Sequence, residues 1–350
     1  MSNFITINNR KIGRGHPCYI VAEMSANHHH DFDEAKRIIE AAAEGGADAI
    51  KLQTYTADTL TIDSNRDYFR VGEGTLWEGR TLHDLYEEAY TPWEWQPKLK
   101  NFANDLGLDF FSTPFDDTAV DFLEEMDVPV HKVASFEIVH LPLLRKIAQT
   151  GKPIIMSTGM ATLAEIDDAV RTIRGEGGEQ LVLLKCTSAY PAPPEEANLR
   201  TIPHLAEAFG VPAGLSDHTM DTAVPIAAVA LGACIIEKHL TMSRDVPGPD
   251  SAFSLEPHEF AQMVEGVRMA EKALGRVRYE ISDKQRASAV FRRSIFAVEE
   301  IAAGDELNES NVRIIRPGHG LAPKHLKTVL GRRAAHPIER GTPIDWALLE

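Results

Sequence analysis

Two histidines separated by a helix-length stretch carry the clearest chemistry in this chain. The segment from Gly214 to Asp250 contains GLSDHT, an apolar run, IIEKHL and PGPD. It reads as a short strand ending in Ser216, Asp217 and His218, a helix over about Asp221 to Leu231, and a second strand, ACIIE, ending in Lys238 and His239. In a barrel of parallel strands such ends lie side by side on one rim, where two imidazoles can share one metal ion. Either histidine taken singly has a bland alternative, a hydrogen-bonded core or surface residue; their matched positions favour the metal. Structural zinc takes four protein ligands and catalytic zinc three. Two imidazoles completed by water and substrate oxygens suit a more weakly held octahedral ion, Mn2+ first, with Mg2+ or Co2+ as alternatives. The run His28-His29-His30 precedes the first helix. Of these, His28 can reach the rim, while His29 and His30 read as solvated.

The elements that must position these groups alternate with a regular beat from Cys18 to about Leu274. CYIVAEM, ADAIKLQ, LDFFST, VHKVAS, PIIMST, LVLLKCTS, VPAGLS and ACIIEKH are near-continuous apolar runs, the pattern of strands buried on both faces. Amphipathic stretches such as DFDEAKRIIEAAAEGG and TLAEIDDAVRTIRG lie between them, the first capped by Asp31 or Asp33 and stopped at Gly45-Gly46. Strands and helices in this alternation predict a (β/α)8 TIM barrel over residues 1–278, in preference to a doubly wound open sheet. A hairpin at residues 3–14, turning at Asn8-Asn9, precedes the first strand. Residues 55–90 form one long connection, rich in aromatic residues and therefore able to pack as a lid or an oligomer contact. TPWEW then predicts a helix start with Thr91 as cap and Pro92 at its first position. Residues 279–290 read as a polar linker. Residues 291–350 read as a small β-rich domain that needs something larger to dock on.

Active sites of such barrels lie at the C-terminal ends of the strands. There this chain places Glu23, Lys51, Gln53, Ser112, Thr113, Lys132, Ser135 with Glu137 beyond, Ser157, Thr158, Lys185, Thr187, Ser188, Tyr190, Ser216, His218, Lys238 and His239. A single lysine can be snorkelling or ion-paired; the whole set converging on one mouth argues for a site. Lys51 and Lys132 with hydroxyls from Thr113, Ser135, Ser157 and Ser216 suit a bound phosphate or carboxylate. A Schiff-base lysine is the alternative, but it needs a desolvated amine, and the crowding by a second lysine and many hydroxyls favours the anion.

Bulk composition excludes several classes. The 350 residues are 43% hydrophobic and 25% charged, ordinary for a globular protein, and no apolar run approaches a membrane span. A formal charge of −16 argues against nucleic acid as a partner. No secretory signal is visible in MSNFITINNRK, and three unpaired cysteines, Cys18, Cys186 and Cys234, fit reduced thiols, so a cytoplasmic location is expected.

The motifs AEMSANH, KLQTY, STPFD, PIIMSTGMAT, KCTSAYP, GLSDHT, EKHL and PGPD resemble the sialic acid synthase family across essentially the whole chain. That resemblance implies an enzyme joining phosphoenolpyruvate to an N-acylated amino sugar, and a C-terminal antifreeze-like (SAF) domain ending in RPGHG and ERGTP. Carried over residue by residue, it assigns phosphoenolpyruvate to Lys51, Thr113, Lys132, Ser135, Ser157, Ser188 and Ser216. It assigns the metal to His218 and His239, and the sugar to Glu23, Gln53, Tyr190 and Asp250. Arg316 matches an arginine that reaches the N-acyl group in the partner's barrel, which implies a domain-swapped homodimer. The N-acetylneuraminate branch usually shows GSGE where this chain has Ala134-Ser135-Phe136-Glu137, and Asn where it has Ser188. These departures favour a different acceptor, a 2,4-diacetamido-2,4,6-trideoxy-altrose; N-acetylneuraminate-type or legionaminate-type chemistry is the alternative. Glu23 is the candidate for proton exchange, its plainer role being an ion pair with Lys51. A non-catalytic ice or sugar binder is the rival outside enzymes, and the polar barrel rim argues against it.

Overall fold

A computed structural model describes residues 4–350. It divides the chain into two compact units, one ending at Gly275 and one over Arg276–Glu350. Among the described residues no helix is long and apolar enough to cross a membrane.

The first unit is a closed barrel of eight parallel strands in sequence order, the last closing onto the first. They are β3 (Tyr19–Glu23), β4 (Ala49–Thr54), β5 (Asp109–Pro114), β6 (His131–Val133), β7 (Ile154–Ser157), β8 (Leu181–Cys186), β9 (Ala213–Asp217) and β10 (Ile235–His239). Each coincides with an apolar run predicted to be a strand, β4, β5 and β9 extending one residue beyond it, to Thr54, Pro114 and Asp217. Most helices between them are amphipathic, Ala223–Ala230 being apolar throughout; Phe32–Glu44 is capped by Asp31, whose side chain accepts from the amides of Asp33 and Glu34. It buries Ala35, Ile38 and Ile39 against the barrel.

Below the first barrel strand, β1 (Phe4–Ile7) pairs antiparallel with β2 (Arg10–Gly13). Asn8 and Asn9 both take positive φ, 44° and 65°, the turn that matches strand twist in a two-residue hairpin. Thr6 N–H donates to Gln180 and Asn8 to Asp109, both at N-terminal strand ends, so the hairpin lies on the barrel's bottom. Position 3 of the expected hairpin lies outside the described residues.

Three local expectations change. Thr91 does not cap a helix. It is buried against His28 Nε2 at 3.1 Å, and the next α-helix starts only at Gln96, after a 3-10 turn at Trp93–Trp95. His28 is therefore taken from the rim: it packs edge-on against Trp95, and burial pushes its pKa down to about 3. The stretch read as a linker carries a short helix, Asp283–Arg286, because Ser282 and Gln285 form a capping box.

The second unit is built around β11 (Ser294–Ala297) and β12 (Val312–Ile315), an antiparallel pair, and isolated bridges such as Ile301 to Ile338. Its own core gathers Ile295, Ile301, Leu307, Val312, Ile338 and Ile344.

Candidate active site

Alternation along β9 and β10 decides which side chains enter the barrel, because successive strand residues point to opposite faces. Ser216 and His218 fall on one face of their segment, and Glu237 and His239 on the matching face of β10. The intervening Asp217 and Lys238 point the other way. Lys238, expected on the rim, instead donates to Asp217 Oδ2 at 2.6 Å and to the Thr219 carbonyl, fully buried outside the barrel interior. Ser112 is likewise turned outward, 2.6 Å from Thr54 Oγ1. Lys185 donates to the Cys186 carbonyl and to Thr187 Oγ1.

The inner face holds two ammonium and two carboxylate groups. Lys51 Nζ lies 2.6 Å from Glu23 Oε2 and 3.9 Å from Glu237 Oε1, and donates to Thr113 at 3.2 Å. Lys132 Nζ lies 3.7 Å from the same Glu237 oxygen and donates to Ser157 Oγ at 2.8 Å and to the Val133 carbonyl at 3.0 Å. Ser216 Oγ donates to Glu237 at 3.1 Å. Burial pushes the Lys51 pKa down, but Glu23 and Glu237 outweigh it and the net shift is upward. For Lys132 burial prevails over Glu237, and its pKa is lowered. Burial raises Glu23 despite Lys51, whereas Lys132 and Lys51 together overcome burial and lower Glu237. Glu237 Oε2 remains buried without a partner.

Hydroxyls converge next to this cluster. Ser188 Oγ donates to Ser135 Oγ at 3.2 Å, and Ser135 approaches Cys186 Sγ at 3.5 Å. Gly159, at φ 45°, makes the approach possible: a Cβ there would collide with Ser135 and sit 2.8 Å from Ser188 Oγ. Glu137 lies half-buried beyond Ser135, its pKa raised by burial to about 7.

The histidine rings lie 5.3 Å apart between centroids, their planes 52° from each other. His218 Nδ1 faces the Thr187 carbonyl at 2.9 Å and must donate to it, which leaves the Nε2 lone pair for a ligand. His239 Nδ1 is buried with no partner. Burial above all depresses the His239 pKa well below its ordinary value, so the ring is neutral. An orphaned imidazole nitrogen beside a second imidazole oriented by a carbonyl fits a divalent metal. Among the described residues no group of three or more His, Cys, Asp or Glu side chains is arranged to hold one.

A third group is a chain of polar contacts and a wall of rings. Asp250 Oδ2 accepts from Ser25 Oγ and from the Ala26 amide at 3.3 Å. Gln53 Nε2 donates to Ser25 Oγ at 2.8 Å and to Glu23 Oε1 at 3.2 Å, joining Asp250 to the lysine cluster. Tyr190 lies 4.5 Å from His218 and 5.0 Å from Phe253, which is itself 5.0 Å from His239. Thus thirteen of the fourteen expected site residues fall into two contact groups: the lysine–carboxylate string, which runs out to Asp250, and the group of Ser135, Ser188, Tyr190 and the two histidines. Arg316, exposed in the second unit just after β12, is not among them. Sequence reasoning passed over Glu237, Ser25 and Phe253. Glu237 was recoverable, since it stands two residues before His239 on a strand and so shares its face.

A closed parallel barrel whose mouth combines buried lysines, clustered hydroxyls and paired imidazoles is that of an enzyme for small anionic substrates. The chain belongs to the NeuB family, whose model matches residues 38–279, and it carries a SAF domain matched over residues 292–350. It is 44% identical to a pseudaminic acid synthase of Helicobacter pylori over 94% of this chain and 97% of that one. Identity to an N,N'-diacetyllegionaminic acid synthase of Legionella pneumophila is 37%, over 98% and 99%. Among solved structures, the N-acetylneuraminic acid synthetase of Leptospira borgpetersenii, crystallised with citrate, superposes with a TM-score of 0.73 at 34% identity, covering 82% of this chain and 95% of that one.

Proposed function

We propose that this enzyme condenses phosphoenolpyruvate with 2,4-diacetamido-2,4,6-trideoxy-β-L-altropyranose and water, giving pseudaminic acid and phosphate. The observation that carries this is the meeting of Lys51 and Lys132 with the His218–His239 pair in one barrel mouth. The higher identity to the pseudaminic acid synthase than to the legionaminic acid synthase selects the acceptor.

In this scheme Lys51, Lys132 and the hydroxyls of Thr113, Ser135, Ser157, Ser188 and Ser216 hold the carboxylate and phosphate of phosphoenolpyruvate. Charge-assisted hydrogen bonds in a buried site are strong and directional. His218 Nε2 and His239 would hold a divalent ion, Mn2+ in our assignment, which when bound supplies Lewis-acid polarisation of the acceptor's carbonyl oxygen. Asp250, Gln53 and Tyr190 orient the acceptor so that its aldehyde carbon faces the methylene carbon of phosphoenolpyruvate, the positioning that makes a bimolecular step effectively unimolecular. Glu23, with its pKa raised by burial, is placed to exchange a proton with a sugar hydroxyl or with the water that adds at C2. Phosphate then leaves with cleavage of its C–O bond. Arg316 is assigned to the acceptor's acyl group bound by a second copy of the chain, which makes the functional unit a homodimer.

Phosphate release from phosphoenolpyruvate, followed with Mn2+ and each of the altrose-derived acceptor, the legionaminate precursor and N-acetylmannosamine, tests the proposal. The altrose derivative should turn over fastest and chelation should abolish the signal. Faster release with another sugar overturns the acceptor, and full turnover after rigorous chelation overturns the metal assignment.

A further inference from the structure

Trp77 is the one residue between positions 72 and 79 that is not exposed. It stands in the long connection after β4, in a stretch with no regular secondary structure. Its indole ring lies 5.6 Å from Tyr190 and 6.4 Å from Phe253. Its Nε1–H donates to the Pro249 carbonyl at 2.9 Å, so it also grips the turn that presents Asp250. Trp77 and Tyr190, both part-exposed, make one aromatic wall beside the two histidines, backed by the buried Phe253, while the polar groups of the acceptor side, Asp250, Ser25, Gln53 and Glu23, form a separate connected string.

We infer that Trp77 is a specificity-determining residue: it completes an aromatic wall that takes the deoxygenated, methyl-bearing part of the acceptor and disfavours a hydroxylated one. Three reasons converge. A tryptophan anchored at both ends, by its N–H and by two rings, is a rigid surface rather than a transient cover. Sugar C–H and methyl groups gain contact on such a surface. A hydroxyl pressed against it loses water and finds no acceptor, which costs free energy. An apolar pocket separates ligands that differ by one such group by about 10- to 100-fold and not much more, which sets the size of the effect. The wall has no counterpart in the phosphoenolpyruvate-facing cluster, where the groups are ammonium, carboxylate and hydroxyl. Trp77 should therefore act on the acceptor alone.

This inference rests on the proposed condensation, and the test separates the two. Wild type, Trp77→Phe and Trp77→Ala are assayed with phosphoenolpyruvate and Mn2+ on the 6-deoxy acceptor and its 6-hydroxy analogue. Wild type should prefer the 6-deoxy sugar by about 10-fold or more in kcat/KM, the scale of one group in an apolar pocket. Trp77→Ala should abolish that preference and raise the acceptor KM while leaving the KM of phosphoenolpyruvate unchanged. Trp77→Phe should keep most of the preference, because the ring remains and only the bond to Pro249 is lost. An unchanged preference in Trp77→Ala, or equal changes in both KM values, overturns the inference. If wild type turns over neither sugar, the proposed condensation fails. A fluorescence titration with both sugars then decides Trp77 separately. A tryptophan signal that responds more tightly to the 6-deoxy sugar, and vanishes in Trp77→Phe, upholds the inference; no difference between the sugars overturns it.

Discussion

The inner and outer faces of the same barrel wall both bury lysines, and they treat them differently. On the outer face Lys238 has a carboxylate from Asp217 and a carbonyl from Thr219 within hydrogen-bond reach, while Thr219 also donates its N–H and hydroxyl back to Asp217. Every polar atom there is matched by the chain's own structure. On the inner face Lys51 and Lys132 share Glu237 at 3.9 and 3.7 Å, Lys51 alone also pairs with Glu23 at 2.6 Å, and two polar atoms nearby, Glu237 Oε2 and His239 Nδ1, are buried with no partner. Burial of charge is costly on both faces. Where the protein supplies full compensation, the charge is part of the scaffold; where compensation is left incomplete, we assign the remaining partner to a ligand. Burial alone does not tell a catalytic lysine from a structural one; the balance of partners does.

The sharpest way to break this contrast is to remove a histidine proposed to hold the metal. His239→Ala should abolish measurable phosphate release and its dependence on Mn2+, while thermal unfolding shifts little, since the ring's Nδ1 makes no internal bond. A stable variant with undiminished activity would place the metal elsewhere. Next in size, Lys132→Met should lower kcat/KM by about 100- to 1,000-fold, the cost of one preorganised donor to developing charge. Lys238→Met should do the reverse, lowering unfolding free energy by about 3–5 kcal/mol because Asp217 is left buried and unpaired. Its folded fraction, measured by chemical denaturation with activity in parallel, should keep its specific activity. Smallest is the surface reference. Arg244 forks onto Glu259, which holds that carboxyl down to about 2 against an ordinary 4.5. A depressed carboxylate stabilises above its ordinary value and loses that contribution as pH falls through the folded value. Glu259→Gln should thus be less stable than wild type at neutral pH by about 1 kcal/mol or less, the worth of a partly exposed pair. The gap should close as pH falls from 4.5 towards 2.

The same contrast explains what could be read from residues alone. Eight apolar runs with polar ends were enough for the barrel, because buried parallel strands have no other composition. Position at a strand end was enough to place His218, His239, Lys51 and Lys132 at the barrel mouth. It was not enough for Lys238, where a list of polar residues near a strand end ignored the two-residue period that turns it outward. That period also points to Glu237, hidden between two isoleucines and a lysine. His28 and Thr91 were misplaced for a different reason. Each looked like a rim ligand or a helix cap by its local neighbours, and the two instead satisfy one another across 63 positions of sequence. Trp77 was legible only as one of several aromatic residues in a long connection. Its bond to Pro249, 172 residues away, is a tertiary contact that no local pattern announces.

Calorimetric titration of phosphoenolpyruvate onto wild type, Lys132→Met and Lys238→Met, with and without Mn2+, tests the division between the two faces most directly. Wild type and Lys238→Met should bind it alike, and largely independently of the metal, while Lys132→Met loses binding by at least about tenfold, roughly one charge-assisted hydrogen bond. Equal binding by Lys132→Met and wild type, or an equal loss in Lys238→Met, would contradict the account.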